Sequence, residues 1–280
     1  MKRLISDKKV CYSLKIFSYI STAIAIIALI AIIGYVLING VGKINLTLLF
    51  GDGKSSPSIL PALVGTLSLI VIALGFSIPL GIGCAVFLTE YTDNKSKFVK
   101  FIRISTETLA GIPSIVYGLF GYLIFVDLLK MGYSLLGGGI TLSIMILPVI
   151  VRSTEESLLS VPQGLREGSY ALGAGKVRTI FKVVLPSCAG GIVTAIILAA
   201  GRVISESAVL ILTVGMVVDK MPVSLLSPGT SLALDIYYFG SFGYPEEAAA
   251  TSVVLMILVF GINLLALLVG KIIKRKTGEK

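Results

Sequence analysis

The sequence predicts an all-α polytopic membrane protein with six transmembrane helices, on three observations. First, the 280 residues are 55% hydrophobic and only 14% charged, whereas a soluble domain carries roughly 25% charge. Second, charge-free runs cover 16–42, 55–89, 108–126, 131–151 and 248–270; each is close to the roughly 20 residues a helix needs to cross the hydrocarbon of a bilayer. Third, a further apolar stretch at about 190–215 is interrupted only by Arg202 and Glu206. Hydrocarbon offers no partner to a bare N–H or C=O, so all six stretches are expected as helices.

The elements follow in order. The first run lies between Lys15 and Lys43 and far exceeds the 7–15 residues of a cleaved signal's apolar segment, so it reads as a retained first helix. In the third run, Gly111, Ser114, Gly118 and Gly121 fall near one helix face, which suits close packing, and Pro113 is placed to kink the start. The fourth run leads into a long inner loop, 152–189. After the sixth stretch, an outer loop at 217–247 carries turn signals at Ser227-Pro228-Gly229 and Gly243-Tyr244-Pro245. Between those turns, Ser231 is placed to cap a short helix running through Tyr238. With the N-terminus inside, 19 of the 24 Lys and Arg residues fall in inner segments. Four are outer (Lys43, Lys54, Lys130, Lys220) and Arg202 is in the membrane, so both termini are expected in the cytoplasm.

That asymmetry accounts for the net charge of +9 through topology and anionic lipid headgroups, with no nucleic-acid partner. There is no His and no Trp. Lack of His removes the commonest metal ligand and general base, so no metal, cofactor or catalytic residue is expected. Tyr12, Tyr91 and Tyr237 are left to serve as interfacial aromatics. Cys11, Cys84 and Cys188 have neither metal nor redox spacing. No G-x-x-x-x-G-K-[ST] occurs, so the chain has no P-loop of its own.

The inner loop reads EGSYALGAGKVRTIFKVVLP over 167–186. A helix is expected from Glu155 to Leu172, broken at Pro162 with Gln163-Gly164 as a turn. Gly173 and Gly175 are natural C-terminal stops, 176–184 can resume as a helix, and Pro186 suits the first turn of the next one. The product is a short rigid knob at the membrane surface, which fits either a docking element or an ordinary polar linker.

This segment resembles the E-A-A-x3-G-x9-I-x-L-P signature of ABC importer permeases. Glu167, Gly173, Leu185 and Pro186 match in position; Gly168 and Ser169 replace the two alanines, and Val183 the isoleucine. Gly168 loosens a helix by about 1 kcal/mol relative to Ala. The stretches 59–91, 109–121 and 147–174 look like phosphate permeases of the PstA type, the likeness covering roughly 57–270. The resemblance implies a type I (MetI-like) permease fold: an N-terminal tail, first helix and outer loop at 1–56, a permease core at 57–270 and a basic tail at 271–280. It also implies a bacterial or archaeal cell membrane, ATPase coupling through Glu167, Gly168, Ser169, Gly173, Leu185 and Pro186, and ATP with Mg used by a partner only. The implied partners are a second homologous permease, two ATPase subunits and an extracytoplasmic phosphate-binding protein. Molybdate, sulfate or phosphonate permeases and the partner phosphate permease share the coupling loop. An ion-driven secondary transporter is a distant alternative.

Arg202 and Glu206 lie four apart, so on a continuous helix they share a face and can pair. An Arg near mid-membrane costs about 2.5–3.5 kcal/mol on insertion scales, so it is expected to face protein or water. Two readings stand: a translocation pathway that uses Arg202 and Glu206, or an ion pair that locks the helix to its neighbours. The resemblance raises both residues, because the R-x-x-x-E matches the phosphate permeases. Glu107 is given no role.

Overall fold

The computed structural model describes residues 2–45, 48–49, 51, 58–92, 96–218 and 220–277. Lys54 and Lys95, counted above toward topology, lie outside them, as does the end of the basic tail from 278. Every regular element among the described residues is helical. Four helices are long and apolar enough to cross a membrane: α1 (Lys2–Gly40), α2 (Leu60–Val86, continuing as a wide turn to Tyr91), α5 (Leu135–Leu159) and α11 (Pro245–Thr277). Two bent pairs make the total six when each is counted as one span: α3 (Lys97–Ala110) with α4 (Ser114–Leu128), and α7 (Lys176–Ser187) with α8 (Ala189–Ile204).

The centre of the bundle is the α2–α5 pair. An added Cβ at Gly139 would lie 2.5 Å from Ile72 Cγ2, and one at Gly81 would lie 2.6 Å from Ile150 Cγ2. Only glycine permits this approach at either end of the contact. Around it, Leu69, Ala73, Leu142, Met145, Ile146 and Ile150 form one buried cluster with Ala199 and Val203 of α8. Pro79 and Pro148 lie inside α2 and α5; such breaks in the hydrogen-bond ladder are tolerated where neighbouring helices pack closely. By contrast, the most apolar window of α1 buries nothing against the other described residues, as expected of a helix solvated by hydrocarbon. Its contact is at the far end, where Gly40 abuts the backbone of Ala249 in α11.

The third span differs from expectation. The 108–126 run is not one helix, because α3 stops at Ala110 and α4 starts at Ser114 with a 99° bend between them. Pro113 has an extended ψ of 142° and no N–H to donate, and it disfavours helical backbone at Ile112. Gly111 therefore lies in the break rather than on a face shared with Gly118 and Gly121. Gly118 packs on Val209 and Gly121 on Thr141 and Thr213.

At one end of the bundle, Thr213 and residues 225–227 seal the start of α5. Ser134, Leu135 and Leu136 donate their N–H groups to the carbonyls of Thr213, Ser227 and Leu225 at 3.1, 3.2 and 2.8 Å, which satisfies donors that a helix start leaves bare. Ser231 caps α10 (Leu232–Ser241) by accepting from Leu234 N at 3.2 Å, as its position predicted. The helix runs one turn past Tyr238 before Gly243 (φ +86°) ends it. The opposite end of the bundle carries the segment 160–187.

Candidate functional site: an exposed knob and a broken span

At the knob end, α5 gives way at Ser160 to α6 (Gln163–Ala171). Gln163 and Gly164 begin this helix rather than forming the expected turn: Pro162 holds its fixed φ just ahead of the first turn, and Leu165 N bonds back to its carbonyl at 3.2 Å. The helix closes in a Schellman motif. Gly173 N donates to Tyr170 O at 2.9 Å and Ala174 N to Ser169 O at 3.1 Å, with Gly173 at φ +81°. Gly175 is not a second left-handed stop. It is extended (φ −74°, ψ 163°) and precedes the first turn of α7. Pro186 sits at the start of the short α-helical turn Leu185–Ser187, as its position predicted, and that turn closes α7. The helix widens over Ile180–Val184 just ahead of this donor-less residue, and the bend of 68° follows at Cys188.

Of the sequence-derived coupling residues, Glu167, Gly168 and Gly173 stand exposed on the knob. Ser169 is half-buried and its hydroxyl meets that of Thr179 at 2.9 Å, tying α6 to α7. Leu185 and Pro186 lie apart, at the root, where Leu185 packs against the cluster of Leu158, Val161, Val184 and Cys188. The sequence reading missed Leu172, which projects from the tip with 90% of its surface exposed, flanked by exposed Tyr170 and Val177.

It also missed what holds the knob. Arg166 donates to Glu90 Oε1 from Nη2 at 2.7 Å and from Nε at 3.1 Å, to Val161 O at 2.8 Å and to Leu158 O at 3.0 Å. The two side chains are only 14% and 7% exposed. Removing one partner of such a buried pair typically costs about 3–5 kcal/mol, because the other charge is left uncompensated. Beside it, the Lys176 ammonium lies 4.8 Å from the Tyr91 ring centroid. The signal in the sequence was Glu90, the charge that ends a long apolar run.

The second region is the interrupted span. α8 ends at Ile204, and α9 (Ala208–Thr213) begins after a break at 205–207. Arg202 and Glu206 therefore do not pair as the i, i+4 spacing predicted. The helix stops before Glu206, whose Oε1 instead accepts from Ala208 N at 3.1 Å and Val209 N at 3.4 Å and so caps α9. Arg202 is half-buried in the last turn of α8 and has no hydrogen bond or ion pair among the described residues. It lies within electrostatic reach of the Tyr117 phenol, which bridges the α3–α4 break by donating to Leu109 O at 2.8 Å.

Between α3 and α5 a cleft of about 500 Å³ contains Arg103, Glu107, Arg152, Glu155 and Glu156. Arg103 Nε donates to Glu155 Oε1 at 2.7 Å; Arg152 bonds Glu107 at 2.7 Å and Glu156 at 3.2 Å. Glu107, given no role from sequence, thus joins the α3–α5 contact.

A helical bundle with several apolar spans, two of them bent, and an exposed helix–turn–helix knob defines a polytopic membrane protein. The chain belongs to the family of binding-protein-dependent transport system inner membrane components, whose profile matches residues 77–279; it is an ABC importer permease. It is 36% identical over 297 aligned positions to the probable ABC transporter permease protein YqgI of Bacillus subtilis, covering 99% of each chain. It is also 36% identical over 208 positions to the phosphate transport system permease protein PstA of Mycobacterium leprae, covering 72% of this chain and 67% of that one. Among solved structures, the MetNI methionine ABC transporter in an inward-facing conformation aligns with a TM-score of 0.64 at 21% identity, covering 77% of this chain and 95% of that one. This likeness establishes the type I, MetI-like fold.

Proposed function

We propose that this chain is a PstA-type subunit that moves inorganic phosphate into a bacterial or archaeal cell by alternating access, driven by separate ATPase subunits that dock on the knob. The observation that carries the coupling half is the knob itself: an apolar tip at Leu172, 90% exposed, on a turn fixed by Gly173 and anchored by a buried ion pair. An isolated linker has no use for so rigid a projection of an apolar side chain into water, whereas a partner groove does. The knob end is then cytoplasmic and both termini lie on that side, in keeping with the excess of Lys and Arg there. Partners are a second homologous permease, two ATPases that use ATP and Mg, and an external phosphate-binding protein.

The phosphate half is supported by PstA-named relatives at about one-third identity, and by Arg202. A guanidinium with no partner among the described residues, beside a helix break, offers five donors to a tetrahedral oxyanion, and a single charge binds it loosely enough to let go. ATP-driven closure of the ATPases would turn the pathway outward to receive phosphate, and hydrolysis would reset it. The test is uptake of radiolabelled phosphate at low external concentration in cells lacking this chain and every other phosphate importer, with and without re-expression. Restored uptake that arsenate inhibits, and sulfate or molybdate does not, is expected; uptake unchanged by re-expression overturns the substrate assignment.

A further inference from the structure

Both ends of α2 are clamped to parts of the chain that are distant in sequence. At the knob end its last turn presents Glu90 to Arg166 of α6, and Tyr91 to Lys176 of α7. At the other end, Thr66 Oγ1 accepts from Leu232 N at 2.9 Å, and Gly65 is pressed so closely on Thr230 that an added Cβ would overlap the Thr230 carbonyl oxygen. Thr66, Thr230 and Leu232 are all at least 98% buried. The two clamps are 24 residues apart on one helix, roughly 36 Å at 1.5 Å per residue.

Pro79 removes one rung from the ladder of α2, and packing on either side of it holds the helix in line. It is locked along α5 by the contacts of Gly81 and Gly139, and its core positions Leu69 and Ala73 are fully packed. Close-packed elements shift as units rather than deform continuously. A displacement of α6 therefore reaches α2 through a joint with almost no slack, since Arg166 spends its donors on Glu90 and on two carbonyls in one rigid geometry. At the far end the same helix holds Thr230 and the start of α10, directly after the turn that seals α5.

We propose that α2 is the rod that carries motion of the knob to the far-side loop, with Glu90–Arg166 as its input joint and Gly65/Thr66 against Thr230/Leu232 as its output joint. These are positioning residues: none is placed in contact with the transported solute. The inference rests on the reading of the knob as the ATPase dock, and its test needs no phosphate.

The experiment uses the full permease–ATPase complex in liposomes. Cys11, Cys84 and Cys188 are replaced by Ser, and one reporter, Ala233→Cys, is introduced at a buried site beside the output joint (8% exposed). The readout is the rate of labelling by a membrane-impermeant maleimide applied to the far side, with and without ATP and vanadate. In the reference complex, nucleotide is expected to change the labelling rate by about tenfold, within the usual range of coupling between sites. Glu90→Gln and Thr66→Val are each expected to remove most of that change while the ATPase still co-elutes. Arg166→Lys is expected to retain part of it. In the double variant the two losses are expected not to add, as for two joints of one rod.

Wild-type nucleotide response in both Glu90→Gln and Thr66→Val, or strict additivity of their effects, overturns the proposal. So does a reference complex whose labelling ignores nucleotide, because the far-side loop would then not be moved from the knob. If Glu90→Gln does not assemble, Thr66→Val carries the test alone. Failure of the ATPase to co-elute with the unmutated chain would instead remove the docking reading beneath it.

Discussion

Arg166 and Arg202 are both sheltered arginines on helices of one bundle, and their surroundings differ completely. Arg166 is bound by a carboxylate and two carbonyls. Arg202 has no hydrogen bond or ion pair among the described residues, and its expected partner Glu206 is occupied in capping α9. The physical lesson is about what a guanidinium is for. With its donors satisfied at both faces it becomes a rivet, since moving it exposes several buried polar groups at once. With its donors unspent next to a helix break, it is a charge whose desolvation is offset only when an anion or water arrives.

The contrast can be broken in four places. The largest effect is expected at Arg202. Arg202→Gln should lower phosphate uptake by roughly 10- to 100-fold, the equivalent of one charge-assisted hydrogen bond of about 1.5–3 kcal/mol. Membrane accumulation and ATPase association should stay at wild-type levels; a variant that fails to accumulate in the membrane would make Arg202 structural. Next is Glu206, where Ala removes the cap of α9 at a cost of about 1 kcal/mol. Uptake should fall severalfold, and Glu206→Gln, whose amide oxygen still accepts at the same reach, should recover most of it; equal losses in Ala and Gln would separate Glu206 from the cap.

Third, Gly173→Ala forces a side chain onto φ +81° at about 1–2 kcal/mol. Amide exchange of 163–179 should speed up and co-eluting ATPase should drop, with Gly173→Asn milder than Ala. The smallest effect is expected at Glu107. Its pair with Arg152 is well exposed on both sides, so Glu107→Gln should change uptake by less than about twofold; a large loss would place the α3–α5 cleft in the transport route.

Much of this architecture was legible because its signals are local. Apolar runs locate α1, α2, α5 and α11; Ser231 and Gly173 announce a cap and a stop through chemistry confined to a few residues. The failures share one cause, which is backbone geometry set by a neighbour. Arg202 and Glu206 are four apart, but a pairing rule presumes that the helix continues, and it does not pass Ile204. Pro113 announced a kink in the 108–126 run, as found, but not that the run would divide into two helices at 99°. Gly175 looked like a second stop only because glycine permits a left-handed turn without requiring one. Glu90 and Arg166 lie 76 positions apart, and no periodicity joins them. The exposed tip at Leu172 was equally hidden, since a leucine in an amphipathic segment reads as core until its surroundings are seen.

The central claim is that the knob exists to seat an ATPase, and Leu172 tests it most directly because its side chain touches so little of its own chain. The measurement is the amount of ATPase subunit that co-elutes with detergent-solubilised permease carrying Leu172→Asp, set against the unmutated chain at equal membrane level and equal thermal stability. A tip buried in a partner groove is expected to lose at least about 2 kcal/mol of binding when replaced by a charge, or some thirtyfold in affinity, and phosphate uptake should fall with it. Full co-elution with unchanged uptake would contradict the account and leave the knob a well-made linker.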